Sequence, residues 1–155
     1  MTDMIKQPFH EEIKVKKLNE LAVIPAYQSD GAAGFDFHVV IEGEPIILEP
    51  GERILLGTGL AFAIPDGKEM QIRPRSGLAY KHGITVLNSP ATIDSDFRGE
   101  VKVLLINHGQ EPFTINHGER IAQGVIALVP PVKLVEVDEL DETERGSGGF
   151  GHTGK

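Results

Sequence analysis

Apolar residues recur at every second position over many short stretches of this chain, and turn formers separate the stretches at close intervals. Ile13, Val15 and Leu18 alternate with charged residues at roughly the period of a half-buried strand. In residues 35–37, Asp36 stands between Phe35 and Phe37, so carboxylate and rings would leave a strand on opposite faces. Residues 46–48, 53–56 and 60–64 read as further strands, punctuated by Glu49-Pro50-Gly51, Gly57-Thr58-Gly59 and Pro65-Asp66-Gly67. Met70 and Ile72 end the next strand. A short helix is then predicted from an N-cap at Ser76 to Gly83. Ile84, Val86 and Leu87 form one strand and Val101, Val103 and Leu105 another, with a polar connection between them. Residues 113–115 make a brief strand. Ile121, Val125, Ile126, Leu128 and Val129 are core candidates of the following one, and residues 132–137 are the last predicted strand.

The 18 Gly and 10 Pro are spread along the chain, and amphipathic helical stretches are scarce. That combination predicts an all-β barrel or sandwich. A length of 155 residues suits one domain with a real core. Within it, residues 1–11 read as a flexible leader, 12–137 as the β-domain, and 138–155 as an acidic linker followed by a Gly-rich arm.

Absence of Cys excludes disulfides, thiolate metal sites and Cys nucleophiles. No membrane-spanning run and no signal-peptide core is present, so a soluble, cytoplasmic protein is expected. A net charge of -8 argues against general nucleic-acid binding. It leaves room for a phosphorylated small molecule, because a few Arg side chains and backbone N–H groups make a local anion site on an acidic protein.

Candidate chemistry concentrates in residues 83–101, where a turn at Asn88-Ser89-Pro90, Asp94, Asp96, Phe97 and Arg98-Gly99-Glu100 lie between two strands. Asp36 either ends on the wet side of its strand or serves an anion or metal-water site. Arg75 and Ser76 either cap a helix or present a guanidinium and a hydroxyl to a phosphate. The tail at 145–155 contains Gly149, Gly154 and Lys155 in a G-x-x-x-x-G-K spacing. It is not a P-loop: no strand leads into it, the Ser/Thr is missing, and no helix follows.

Five segments in order, AAGFD (32–36), RSGLA (75–79), the 88–100 stretch with TIDSDFRGE, GERIAQ (118–123) and RGSGGFGHTG (145–154), resemble the five motifs of the trimeric dUTPase family. The resemblance implies a jelly-roll-like β-barrel protomer, a homotrimer with active sites at subunit interfaces, and Mg²⁺-dependent cleavage of dUTP to dUMP and pyrophosphate. Such an enzyme would limit uracil incorporation into DNA and supply dUMP for dTMP synthesis.

Carried onto this chain, the family pattern makes Asp94 the general base that activates water. Asn88 would read the uracil edge, with Thr92 and Ile93 in the same substrate-binding turn. Phe97 stands where the family usually has Tyr, against the deoxyribose; stacking is kept and the hydroxyl's hydrogen bond is lost. Arg75, Ser76 and Gln123 would bind phosphates, Gly77 would permit close approach, and Asp36 would hold the Mg²⁺ site through water. In the arm, Arg145 would reach the γ-phosphate, while Phe150, followed by Gly151, would stack on uracil and close the site. His152 replaces a residue that is typically Ser.

Two competing readings are a dCTP deaminase relative and a catalytically silent nucleotide-binding regulator. The first would need a carboxylate placed for the C4 amine, and the second sits poorly with Asp94 among five intact motifs.

Overall fold

The computed structural model describes residues 11–154. Among them the order is β1 (Lys14–Lys17), β2 (Phe35–His38), β3 (Ile46–Leu48), β4 (Arg53–Ala63), β5 (Lys68–Arg73), α1 (Ser76–His82), β6 (Ile84–Val86), β7 (Ala91–Ile93), β8 (Glu100–Asn107), β9 (Phe113–Ile115) and β10 (Arg120–Leu128). The strands form two four-stranded sheets, β1-β4-β8-β6 and β2-β10-β5-β7, and a two-stranded ribbon, β3-β9. All pairings are antiparallel. Both larger sheets bury one face in a common core, giving the all-β architecture that the short alternating runs predict and the jelly-roll-like form that the family resemblance implies. Among the described residues no helix is long and apolar enough to cross a membrane.

The alternation that defines the strands is also what fills the core. Phe35 and Phe37 point inward from β2, Met70 and Ile72 from β5, and Val101, Val103 and Leu105 from β8. A row of edge-to-face rings, Tyr27–Phe35–Phe37–Phe62, continues through the interior at centroid separations of 5.4, 5.6 and 5.9 Å. Each large side chain fully buried here contributes about 1.5–3 kcal/mol. The residues between them, Asp36 on β2 and Glu69, Gln71 and Arg73 on β5, are thereby turned to the outer face.

Several sequence expectations are corrected. Gly57-Thr58-Gly59 does not divide two strands; β4 runs through it with a register shift between Gly57 and Ala61. Thr58 stays buried because its hydroxyl donates to the Val101 carbonyl at 2.7 Å and accepts from Leu60 N–H at 3.3 Å. At Gly59, φ is +68° and an added Cβ would stand 2.9 Å from that of Ala22, so the bend needs glycine. Leu18 lies beyond β1 and is exposed, as are Leu128 and Val129, which sit where β10 runs out of the core.

Residues 132–137 form no strand, and Val132, Leu134, Val135 and Val137 are exposed. The segment is extended enough in composition, but the protomer gives it no strand to pair with. Residues 1–10 of the expected leader, and Lys155, lie outside the described residues. Glu11, the leader's last residue, forms an ion pair with Lys68.

Candidate active site

Three of the five motifs meet on the outer face of the β2-β10-β5 sheet. In the ladder, Gln123 of β10 is opposite Asp36 of β2 on one side and Arg73 of β5 on the other. Directly opposed residues share a face. The two carboxylate oxygens of Asp36 each meet a guanidinium: Oδ1 lies 3.3 Å from Arg75 Nε, and Oδ2 lies 3.3 Å from Arg120 Nη1. Arg75 Nη1 also donates to the Arg120 main-chain carbonyl at 3.2 Å. Gln123 Nε2 donates to the Pro74 carbonyl at 3.0 Å, fastening β10 to the segment that leads into α1. Gly34 makes room for this amide, since a Cβ there would stand 2.6 Å from Gln123 Oε1.

The structure moves the helix cap by one residue. Arg75, with φ -89° and ψ 130°, is the N-cap of α1, and no side chain closes the cap. Ser76 is therefore the first helical residue, and its exposed hydroxyl is left unspent by capping. Nothing lies within 4 Å of a Cβ built on Gly77, so that surface is open. Gly83 ends the helix as expected, in the left-handed region with its N–H on the Ala79 carbonyl. A cleft of about 440 Å³ opens beside Arg75 and Arg120, bordered by His38, Leu78, His82 and Gly118. A separate groove of about 400 Å³, lined by Ile13, Val15, Ile24, Tyr27, Phe35 and Phe62 among others, is apolar and holds none of the candidate residues.

The third motif lies elsewhere. Its connection is not all loop: residues 91–93 form β7, which pairs with β5 through Ala91↔Ile72, Thr92↔Gln71 and Ile93↔Met70. Sequence pattern misses this strand because it is defined by its pairing with β5. Thr92 points outward, and Ile93 packs against the core, leaving Asp94 where β7 ends. Asp94 thus continues past Met70 toward the Glu69 end of β5, whereas Gln123 and Asp36 are aligned with Arg73. Four residues of strand separate the two positions by about 13 Å along β5. The Asp94 carboxylate is exposed and has no hydrogen-bond partner among the described residues, and it borders a groove with Asp66, Lys68, Glu69 and Pro130. Its main-chain carbonyl accepts from Phe97 N–H at 3.2 Å, which fixes a turn. The Phe97 ring, 41% exposed, lies over Gly99, where a Cβ would come within 2.7 Å of it. Asn88 is exposed just beyond β6, next to the cis Ser89–Pro90 bond.

The arm stands apart from both groups. Its described hydrogen bonds are local: Arg145 Nε donates to the Gly148 carbonyl at 2.8 Å, and successive turns run through Gly146, Gly148, His152 and Gly154. Phe150 is fully exposed at φ +49°, with Gly151 after it at φ +80°. His152 seats its ring over Gly148.

Residues 20–154 match the family model described as dUTPase. The chain belongs to the dUTPase family. The deoxyuridine 5'-triphosphate nucleotidohydrolase of Nautilia profundicola is 65% identical over 144 residues, covering 93% of this chain and 99% of that protein. The same-named protein of Wolinella succinogenes is 60% identical over 144 residues, covering 93% and 95%. Among solved structures, Staphylococcus bacteriophage 80alpha dUTPase with dUPNHPP superposes with a TM-score of 0.83 at 26% identity, over 93% of this chain and 99% of that one.

Within this dUTPase chain, Arg120 is the residue that sequence reasoning missed. A carboxylate on the outer face of a strand is stabilised by a neighbouring guanidinium. Which arginines answer it depends on the β2–β10 register, which no local pattern contains.

Proposed function

We propose that this dUTPase family member hydrolyses dUTP to dUMP and pyrophosphate by attack of water on the α-phosphorus, in a homotrimer whose active sites are each built from more than one protomer. The observation that carries this reading is the division of the candidate groups. Arg75, Ser76 and Gln123, suited to phosphates, and Asp36, suited to a metal-bound water, are held at one end of β5, while the unpartnered Asp94 carboxylate is presented at the other. A neighbouring protomer that brings its Asp94 to this protomer's phosphate side completes a site that one chain leaves in halves. The exposed apolar side chains of residues 132–137 support the same association, since an unpaired apolar segment is stabilised by burial against another chain.

In this arrangement Asn88 supplies a donor and an acceptor to the uracil edge, beside Thr92 and Ile93, and Phe97 packs against the deoxyribose. Arg75 and Ser76 hold phosphate oxygens, and the Gln123 amide, tied to Pro74, lines the same face. Asp94 takes the proton of the attacking water; a positioned base of this kind contributes about 10²–10⁴-fold. The arm closes from outside, with Arg145 on the γ-phosphate and Phe150 on the base. Phe150 fits that role: a bulky residue in the left-handed region with its ring in water gains nothing in the protomer to offset the strain.

Among the described residues no group of three or more His, Asp or Glu could cage a metal. The donor set fits Mg²⁺ bound chiefly by substrate phosphates and water, with Asp36 meeting it through a water. When bound, the ion would neutralise charge on the triphosphate and the leaving pyrophosphate. The enzyme would act in the cytoplasm, limiting dUTP available to DNA synthesis and supplying dUMP for dTMP synthesis.

Pyrophosphate release from dUTP, dTTP, dCTP and UTP, each with Mg²⁺ and with EDTA, tests this directly. Strong preference for dUTP and loss of turnover in EDTA are expected. Equal rates across the panel, or ammonia release from dCTP, would overturn the assignment.

A further inference from the structure

Arg73 lies in the same row as Asp36 and Gln123 yet has a different set of partners. Opposition in the ladders puts the three on one face, with Arg73 one strand from Gln123 and two from Asp36, about 5 and 10 Å by backbone spacing. Met70 and Ile72, 0% and 1% exposed, lock β5 so that Arg73 cannot turn inward. Its guanidinium is held from below: Nε and Nη2 donate to Gln71 Oε1 at 3.1 and 2.8 Å, and Gln71 Nε2 in turn donates to Glu69. This ladder along β5 orients Arg73 through an amide rather than a carboxylate.

The difference matters electrostatically. Arg75 and Arg120 share the charge of Asp36, whereas Arg73 makes no ion pair among the described residues. Three of its five N–H donors also lack an acceptor there. An oriented cation with unused donors, beside Gln123 and on the face of Arg75, is matched to a polyanion.

We infer that Arg73 is a further substrate-binding residue that donates to a phosphate oxygen of the nucleotide, and that Gln71 is the positioning residue that aims it. This rests on the nucleotide-hydrolase reading above and adds a third arginine to its phosphate side. Arginine suits the role because its planar fork keeps donors for an anion while two are anchored.

The test compares Arg73→Gln, Arg73→Lys and Gln71→Leu with the wild type in dUTP hydrolysis, together with inhibition by deoxyuridine, which carries no phosphate. In Arg73→Gln the KM for dUTP should rise about tenfold, the size of one charge-assisted hydrogen bond at a partly solvated site. Inhibition by deoxyuridine should be unchanged, and the dependence of KM on salt should weaken. Arg73→Lys should fall between the two. Gln71→Leu should raise KM less than Arg73→Gln does and add nothing when the two are combined, because both act through one contact. An unchanged KM in Arg73→Gln overturns the inference. So does an equal loss of affinity for deoxyuridine and dUTP, which marks a general distortion of the site. A wild type inert toward dUTP would instead overturn the reading on which the inference rests.

Discussion

Gln123 and Pro74, distant in sequence, are joined by a side-chain amide on a main-chain carbonyl at 3.0 Å. That bond sets the distance between the strand bearing Gln123 and the turn bearing Arg75, and Gly34 keeps its geometry open. Gly34→Ala would drive a methyl into Gln123 Oε1. We expect it to lower kcat/KM for dUTP at least tenfold, about 1.4 kcal/mol, with the fold retained by circular dichroism. Wild-type kinetics in Gly34→Ala would show that the amide need not stay where it is.

Asp94→Asn keeps the shape of the side chain and removes its ability to take a proton. Turnover should fall by about 10²–10⁴-fold, the contribution of a positioned general base. Equilibrium dialysis with a non-hydrolysable imido analogue of dUTP should show affinity within a few-fold of the wild type. Retained turnover would assign the base elsewhere.

Because Asp94 and Gln123 lie beside opposite ends of β5, a site assembled between protomers has a distinct signature. Asp94→Asn and Gln123→Ala proteins should each be nearly inactive. Mixed, denatured and refolded together, they should regain part of the wild-type rate, since some sites draw Asp94 and Gln123 from different, intact protomers. No recovery in refolded mixed assemblies would mean that both residues must come from the same chain.

The tip of the Phe97 ring lies over Gly99, and the ring carries no hydroxyl. Phe97→Tyr should raise the ratio of dUTP to UTP turnover, with the change confined to the sugar preference. An identical ratio would show that ring packing alone excludes the 2′-hydroxyl.

Removing residues 145–155 should cripple turnover while leaving the melting temperature within a few degrees, because the hydrogen bonds of the described arm are local and its residues are exposed. Full activity of the truncated chain would deny the arm a part in closure.

What could be read from sequence follows a physical divide. Asp36 outward between two inward rings, Gly83 ending a helix and Val101, Val103 and Leu105 filling the core are local consequences of period and backbone freedom, and each is observed. β7 is defined by its partner β5, and the Arg120–Asp36 contact by the β2–β10 register, so neither exists in any short window of sequence. Residues 132–137 have the composition of a strand without a partner in the protomer. The placement of Ser76 inside the helix depends on a cap geometry that Arg75 adopts without a side-chain bond.

The alternation on β5 carries a consequence beyond its contribution to the core. Met70 and Ile72 face the core and not the outer face, yet a slip of one residue would swing them into water and send Glu69, Gln71 and Arg73 into the interior. Such a slip would strand three polar side chains in apolar surroundings, an error too costly to be populated. The aim of the phosphate-facing groups is therefore policed by hydrophobicity: two buried side chains act as the index pins of a polar instrument.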